Sequence, residues 1–211
     1  MNDISVVVPY RDRATHLEQF VPAIIKAIPG VELLIVEQGN DKAFNRGALC
    51  NIGFIFSSHS HIIFHDVDMI PEDVDYSPQN GATHLATAAS QFEYKMPYLQ
   101  YFGGVTMFDR GSFAECNGFP ANYYGWGLED DALLDRVHLA GIDVFRRNDQ
   151  RFLSLDHERP YGNNPPKENI DIHFKALGSK EAVLRNGLTT MSYTLQSVTK
   201  QEGYTHILVD I

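Results

Sequence analysis

The stretch Ile4-Ser5-Val6-Val7-Val8-Pro9 is a short β-branched run closed by a proline, which predicts a buried strand. Apolar residues at helical spacing predict helices over residues 15–28 and 44–56. Two further apolar runs predict strands over residues 31–36 and 61–64. Strands that alternate with helices indicate a βαβαβ unit with a parallel sheet, and therefore an α/β protein of Rossmann-like type.

The second half of the chain has a less regular pattern of apolar residues. Helices are predicted over residues 109–116, with Asp109 as the cap, and over residues 129–139. Residues 158–169 are polar and contain three prolines and one glycine, which is typical of a long surface loop. Short apolar runs predict four more strands, at residues 85–89, 101–108, 191–198 and 206–211.

Composition excludes some classes of function. The 27 acidic and 17 basic side chains give a formal net charge of −10, which argues against a nucleic-acid-binding protein. No apolar run approaches the ~20 residues of a membrane span, and nothing resembles a signal peptide. Cys50 and Cys116 form no metal or redox motif, and two buried thiols are favoured over a disulfide. We therefore expect a soluble protein in a reducing compartment, the cytoplasm, without stable membrane insertion.

Charged side chains follow two of the predicted strands at their carboxyl ends. Asp66-Val67-Asp68 follows the third strand, and alternation along an extended backbone would aim both carboxylates to the same side. Carboxylate oxygens suit magnesium or manganese. Arg11, Arg13 and Arg46 lie at the same predicted edge, where guanidinium groups match the oxygens of a diphosphate. Taken singly, each arginine is better explained by surface salt bridges to acids such as Asp12 and Asp41, and it is the three together beside Asp-x-Asp that favour a diphosphate.

Residues 125–131 read Gly-Trp-Gly-Leu-Glu-Asp-Asp, with three acidic side chains directly behind the only tryptophan. Neighbouring carboxylates repel one another, whereas a ring face beside acids suits the binding and deprotonation of a sugar hydroxyl. The alternative is that Trp126 belongs to the core, but Gly125 and Gly127 leave it few apolar neighbours. His157, which follows a predicted strand end, can complete a manganese site that begins with a carboxylate, although a lone histidine is usually not a ligand. The pattern favours metal-dependent sugar transfer.

These motifs, in this order, resemble those of the β-1,4-galactosyltransferase family of inverting enzymes, which use UDP-galactose and manganese. The resemblance extends over nearly the whole chain, and it is the combination of six motifs that is specific. Because the amino-terminal anchor and stem of animal members are absent, a bacterial or viral relative is expected. The similar segments are residues 8–13, 44–47 with 51–54, 65–71, 97–105, 117–120 and 124–131, with weaker matches at 186–188 and 209–211.

The resemblance implies a Rossmann-like nucleotide-sugar-binding (GT-A type) fold with a mixed central sheet. It implies one catalytic domain over residues 1–211, with a nucleotide-binding half at residues 1–75 and an acceptor-binding, metal-completing half at residues 76–211. It also implies that Asp130 is the catalytic base and that Asp68 and His157 bind Mn²⁺. The implied donor-binding residues are Pro9, Tyr10, Arg11, Asp12, Arg13, Phe44, Asn45, Arg46, Asp66, Val67, Asp68, Tyr101, Gly104, Trp126, His157, Glu158 and Arg159. The implied acceptor-binding residues are Tyr98, Leu128, Glu129, Asp130 and Asp131.

Some positions depart from the family pattern or decide specificity within it. Ser154 stands where a methionine often provides a further metal ligand, and serine is a poorer one. Leu128 replaces a common glycine and would reshape the acceptor subsite. Tyr101 matches a position whose bulk favours galactose over N-acetylgalactosamine. The loop at residues 158–169 would close over the donor and exclude water.

Other functions remain open at this point. Polypeptide N-acetylgalactosaminyltransferases and chondroitin-type polymerases share similar motifs, so a related hexosyltransferase is one alternative. A carbohydrate-binding module without catalysis is another, although it leaves the Asp-x-Asp triplet and the arginines without a purpose. A purely structural protein is least favoured, since the polar motifs lie at strand ends. The acceptor is a saccharide, and N-acetylglucosamine, glucose, xylose and galactosamine-like sugars all fit the pattern.

Overall fold

The computed structural model describes residues 3–157 and 164–211. Its first five elements confirm the predicted βαβαβ unit, and β1 pairs in parallel with β2 on one side and with β3 on the other. These elements are β1 (Ile4–Tyr10), α1 (Ala14–Ala27), β2 (Glu32–Gln38), α2 (Arg46–Phe56) and β3 (His61–His65).

The remaining elements complete a mixed central sheet and add a small second sheet. They are β4 (Met69–Asp73), β5 (Ala82–His84), β6 (Ala88–Ala89), β7 (Val105–Asp109), α3 (Arg110–Glu115), α4 (Glu129–Ala140), β8 (Val144–Arg146), β9 (Arg151–Ser154), α5 (Lys167–Ala176), α6 (Lys180–Arg185), β10 (Thr194–Gln201) and β11 (Tyr204–Asp210). Among the described residues the central sheet has the order β10-β11-β2-β1-β3-β7-β5-β8, and the small sheet has the order β4-β9-β6. The central sheet is mixed because β7 runs antiparallel to β3 and β5, while β10 runs antiparallel to β11.

The structure corrects several predicted boundaries in the second half. The strand predicted at residues 101–108 begins only at Val105, because Gly104 has a φ of +81° that breaks the extended backbone. Within residues 85–89 only Ala88–Ala89 is strand. Both closing strands exist, and the first is shifted to Thr194–Gln201. Asp109 caps α3 as predicted, since its carboxylate accepts from the backbone N of Ser112 at 2.9 Å.

Two apolar clusters cover the two faces of the central sheet. One includes Phe20 and Ile24 of α1, and the other includes Leu49 of α2 and Leu133 of α4. Helix α2 lies close to β1 because Gly53 has no side chain to separate them. This packing fixes the first turn of α2, and with it Arg46, at the carboxyl edge of the sheet. In the described part of the chain, no helix has the length and apolar character needed to cross a bilayer.

Candidate active site

A cleft of about 510 Å³ opens at the carboxyl ends of β1 and β3, a size that suits a small-molecule ligand. Most residues predicted for the site line it: Pro9, Arg11, Asp12, Arg13, Phe44, Arg46, Asp66, Val67, Asp68, Tyr98, Tyr101, Gly104, Trp126, Leu128, Glu129, Asp130, Asp131 and His157. The cleft thus gathers segments that are up to about 150 residues apart in the sequence, as the carboxyl edge of an open α/β sheet does.

Two predicted residues lie behind the wall of the cleft instead of lining it. Tyr10 is buried, and its hydroxyl accepts a hydrogen bond from the backbone N of Arg13 at 3.3 Å. Asn45 is buried and caps α2 by accepting from the backbone N of Ala48 at 2.9 Å. Both side chains therefore support cleft residues from beneath. Glu158 and Arg159 lie outside the described residues, as does most of the predicted surface loop.

Arg46 joins the two sides of the cleft. Its Nε donates to Asp66 Oδ1 at 2.6 Å, and its Nη1 donates to Asp130 Oδ1 at 2.8 Å. The side chain is only 10% exposed, and the guanidinium lies 5.3 Å from the ring centre of Phe119. One buried cation therefore fixes two carboxylates, one directly after β3 and the other in the first turn of α4.

Burial sets the protonation of this acidic cluster. Desolvation raises the pKa of Asp66 to about 6, although Arg46 acts to lower it. Desolvation also raises the pKa of Asp130 well above its usual value. The positive charge of Arg46 lowers this pKa, whereas the negative charges of Glu129 and Asp66 raise it further. Burial raises the pKa of Glu129 as well. A carboxylate that binds a proton this readily is suited to accept one from a substrate hydroxyl.

Asp68 and His157 meet at the opposite wall of the cleft. His157 Nε2 lies 3.0 Å from Asp68 Oδ2, and Arg13 Nη2 lies 3.4 Å from His157 Nδ1. Each of the two side chains in the ion pair is about a quarter exposed, so the pair faces the open cleft. One carboxylate and one imidazole are a donor set that Mn²⁺ accepts.

The described residues do not supply an obvious third metal ligand beside Asp68 and His157. No group of three or more His, Cys, Asp or Glu side chains there could hold a metal ion. Ser154 does not supply a strong donor in this region, because its hydroxyl donates to Met69 Sδ at 3.4 Å. Among the described residues, Asp68 and His157 are a pair of side chains that could hold a metal ion, and their role as its ligands stays a prediction.

The Asp-x-Asp triplet does not have the extended backbone that alternation required. Val67 and Asp68 form a turn, in which the backbone N of Met69 donates to Asp66 O at 3.2 Å. Asp66 consequently faces Arg46 while Asp68 faces His157. Both carboxylates line the same cleft, as predicted. The predicted reason was wrong, because a turn and not an extended backbone places them there.

The acidic segment behind Trp126 forms the first turn of α4. Glu129, Asp130 and Asp131 all lie at this amino end, where the helix dipole favours negative charge. Leu128 precedes them with a left-handed φ of +73°, an unusual conformation for a bulky side chain. Trp126 is 42% exposed and lines the cleft between two glycines of positive φ, so the core interpretation is wrong.

Arg11 and Arg13, in the loop that follows β1, donate hydrogen bonds to backbone carbonyls, and Arg11 also contacts an aromatic ring. Arg11 Nη1 donates to Lys42 O at 2.7 Å, and its guanidinium lies 5.4 Å from the ring centre of Phe44. Arg13 donates to Asp12 through the backbone carbonyl at 3.3 Å. The described residues therefore do not place these arginines in surface salt bridges with Asp12 or Asp41. Arg11, Arg13 and Phe44 all line the cleft.

Six residues that line the cleft were not among the predicted site residues: Ala43, Met69, Gln91, Phe92, Gly125 and Gly127. Met69 directly follows the Asp-x-Asp triplet, and its proximity was the available signal. Gln91 and Phe92 belong to a short 3-10 helix that carries no motif, so nothing in their local sequence pointed to the cleft.

Two protein-family models match the chain. One, described as the N-terminal region of glycosyl transferase group 7, matches residues 1–77, and the other, described as the N-terminal domain of galactosyltransferase, matches residues 83–158. The chain is 31% identical to human β-1,4-galactosyltransferase 1 over 99% of its own length and 54% of that protein. It is 35% identical to β-1,4-galactosyltransferase 4 of Cricetulus griseus over 98% of its length and 63% of that protein. The chain thus spans about half to two thirds of the length of these curated relatives.

Solved structures share the fold. The catalytic domain of Drosophila β-1,4-galactosyltransferase 7 in complex with xylobiose superimposes with a TM-score of 0.81 at 27% identity, over 99% of this chain and 93% of that one. A mutant of that enzyme, in complex with manganese, UDP-galactose and xylobiose, gives 0.77. A mannosyltransferase from Pyrobaculum calidifontis gives 0.59 at 14% identity, over 75% of this chain and 58% of that one, which concerns the fold alone. The expected GT-A type fold with a mixed central sheet is confirmed.

Proposed function

We propose, given that the chain belongs to the β-1,4-galactosyltransferase family, that it transfers galactose from UDP-galactose to a hydroxyl of a saccharide acceptor in a β-1,4 linkage with inversion. The observation that carries the proposal is the bridge of Arg46 between Asp66 and Asp130. Because Arg46 binds both, the carboxylates of Asp66 and Asp130 line the same part of the cleft. A donor and an acceptor bound there would be in contact.

Asp130 is the proposed catalytic base. It would accept the proton of the acceptor hydroxyl while that oxygen attacks the anomeric carbon from the face opposite the diphosphate. General base catalysis of this kind contributes roughly 10²–10⁴ in rate. The raised pKa of Asp130 supports the role, because it brings the proton affinity of the carboxylate closer to the working pH.

The donor would lie along the wall formed by the first loop, the amino end of α2 and the Asp-x-Asp turn. Arg11 and Arg13 offer guanidinium groups to the diphosphate, and the Phe44 ring offers a surface for the base. The backbone at Gly104 holds the turn in place, since Gly104 O accepts from the backbone N of Asp66 at 3.1 Å. The donor roles of Glu158 and Arg159 stay predictions.

Asp68 and His157 are the residues that would hold Mn²⁺. The bound cation would supply Lewis-acid stabilisation of the charge that develops on the departing diphosphate. To bind a cation, His157 must be neutral, with an unprotonated ring nitrogen. The contact between His157 Nε2 and Asp68 would then be replaced by contacts of both side chains with the cation. Arg13 Nη2 lies 3.4 Å from the other ring nitrogen of His157. A guanidinium only donates, so this contact would also change if Nε2 bound the cation and Nδ1 carried the proton.

The acceptor would lie between Trp126 and the acidic first turn of α4. Trp126 presents an exposed ring for stacking on a sugar face, while Glu129 and Asp131 provide acceptors for sugar hydroxyls. Tyr98 closes this side, with its hydroxyl 3.4 Å from Asp131 Oδ1. Tyr101 reduces the space beside the donor sugar, in keeping with galactose as the transferred group.

The division of labour between residues 1–75 and 76–211 stays a proposal. The first half supplies the arginines and the Asp-x-Asp turn, and the second supplies Asp130 and His157. A cytoplasmic location also stays a prediction, favoured by two free cysteines that are buried in the core.

The direct test replaces Asp130 with Asn in a transfer assay with UDP-galactose, Mn²⁺ and a panel of N-acetylglucosamine, glucose and xylobiose acceptors. We expect D130N to lose at least about 10²-fold of the transfer rate while UDP-galactose binding persists, because Asn keeps the shape but cannot accept the proton. Asp135→Asn on the same helix, outside the cleft, is the matched control and should transfer at the wild-type rate.

The assay also separates the alternatives. Full turnover by D130N would remove Asp130 from its role. Preferential use of UDP-N-acetylgalactosamine in competition with UDP-galactose would favour the related hexosyltransferase. Sugar binding by a wild-type protein that neither transfers galactose nor hydrolyses UDP-galactose would favour the binding module.

A further inference from the structure

The small sheet connects three functional segments of the cleft. Strand β4 begins directly after Asp68, and β9 ends three residues before His157. Strand β6 leads into residues 90–101, the segment that carries Phe92, Tyr98 and Tyr101 into the cleft. The order of the sheet is β4-β9-β6, so this segment is attached at its start through a strand only two residues long.

A second connection lies at the outer end of this sheet and is made by Glu72, Tyr94 and Arg151. The guanidinium carbon of Arg151 lies 3.8 Å from the ring centre of Tyr94. The Tyr94 hydroxyl donates to Glu72 Oε2 at 3.0 Å, and Arg151 Nε lies 3.9 Å from the same oxygen. Each residue comes from a different part: Glu72 from β4, Arg151 from β9 and Tyr94 from the segment after β6. We call this group the Arg151 clamp.

The backbone at the clamp is one that needs support. Glu93 and Tyr94 have φ values of +54° and +56°, and two successive left-handed residues without glycine are unfavourable. Their turn is closed by hydrogen bonds from Tyr94 N to Ala89 O and from Lys95 N to Phe92 O, each 3.0 Å long. Glu72 itself lies at an irregularity of the β4–β9 pairing, which turns it toward Tyr94.

The clamp is coupled to the cleft through aromatic packing. The ring centre of Phe92 lies 5.5 Å from that of Tyr101, and the ring centre of Tyr98 lies 5.6 Å from that of Tyr101. We propose that Arg151 is a positioning residue for the acceptor: by stacking on Tyr94 it holds residues 90–101 in the conformation in which Tyr98, supported by Tyr101, faces the acceptor sugar. This inference rests on the proposed function of the cleft.

Arg151→Ala tests the inference by steady-state kinetics with UDP-galactose, Mn²⁺ and, in separate series, xylobiose and N-acetylglucosamine. An exposed cation–π contact corresponds to about a two- to fivefold change in an equilibrium constant, so we expect acceptor KM to rise by about that factor. The values of kcat and of KM for UDP-galactose should change less than the acceptor KM, since Tyr101 is the only proposed donor-binding residue in the segment 90–101. Arg151→Lys, which keeps the cation, should restore part of the acceptor KM.

The matched control is Arg185→Ala, which removes another exposed arginine paired with a glutamate, on α6. Tyr94→Phe keeps the ring and should have a smaller effect than R151A. The structural arm is amide hydrogen exchange at residues 93–95, which should be faster in R151A by about two- to fivefold.

Two results would overturn the inference. One is exchange at residues 93–95 that is the same in R151A as in R185A, and the other is faster exchange with an unchanged acceptor KM. If the wild-type protein transfers no galactose, the proposed function fails in the Asp130 experiment, while the exchange arm still decides whether the clamp orders residues 90–101.

Discussion

Asp130 combines two influences that act in opposite directions. Burial raises its pKa, and the guanidinium of Arg46 at 2.8 Å lowers it, with burial the larger effect. Its proton affinity is therefore tuned by its surroundings, while its position is fixed by one hydrogen bond. Removing Arg46 would leave the buried Glu129 and the partly buried Asp66 and Asp130 as neighbouring carboxylates without their cation.

This tuning predicts a pH dependence of transfer. A general base works only when it is deprotonated, so activity is present above the raised pKa and is lost as the pH falls through it. We expect kcat/KM to show an acidic limb with a midpoint clearly above the usual aspartate value of about 4. Asp66 and Glu129 have raised pKa values too, so the limb belongs to the cluster as a whole.

A pH–rate profile of the wild-type protein measures this limb, with the Asp135→Asn variant as a control that should give the same profile. A profile that stays flat down to about pH 4 would contradict the assignment, since it would indicate a base with an ordinary carboxyl pKa.

Individual site residues were predictable where a motif marked them. Asp68, Asp130 and Trp126 were found because they lie in motifs at strand or helix ends, and His157 because a predicted strand precedes it. The double pairing of Arg46 was not predictable, since it depends on how α4 returns to β3 across the sheet. Phe92 was missed because an aromatic in a short irregular segment carries no periodic signal.

At the scale of elements, the contact of α2 with β1 positions the amino end of α2. A Cβ at Gly53 would overlap Val7 Cγ1 and lie 2.9 Å from Val7 Cγ2. We expect Gly53→Ala to lower the free energy of unfolding by ~1–3 kcal/mol through overpacking. That loss exceeds the ~0.5–1 kcal/mol that alanine gains over glycine in a helix.

Urea unfolding of G53A, Val7→Ala and the double variant measures the contact. The double variant should lose less stability than the sum of the two single variants, because the shorter side chain at residue 7 leaves room for the new methyl group. Gly178→Ala, at an exposed position where a Cβ would meet no atom closer than 3.7 Å, is the control and should be neutral or stabilising. Strict additivity of the G53A and V7A effects would show that this contact does not set the helix position.

The elements of the first half were predictable, and those of the second half were less so. Long apolar runs marked β1, β2 and β3 because buried parallel strands are continuously hydrophobic. Strands β5, β6 and β8 have only two or three residues, too few for a period to appear. Helix α5 begins at Lys167, so the loop prediction was wrong for residues 167–169. Helices α5 and α6 have ten and six residues, too few for a helical period to be clear.

At the scale of the whole molecule, the proposed reaction requires the two halves of the chain to bind one ligand together. Asp68 of the first half contacts His157 of the second, the pair proposed to hold the metal, and Arg46 joins Asp66 to Asp130 in the same way. The donor should therefore bind through the metal pair, and its binding should not need the catalytic base.

Isothermal titration calorimetry of UDP-galactose, with and without Mn²⁺, tests this claim most directly, because it requires no knowledge of the acceptor. The account predicts Mn²⁺-dependent binding in the wild-type protein, its loss by at least about tenfold in both Asp68→Asn and His157→Gln, and its retention in D130N. Binding that is independent of Mn²⁺, or equally tight in D68N and H157Q, would contradict the account.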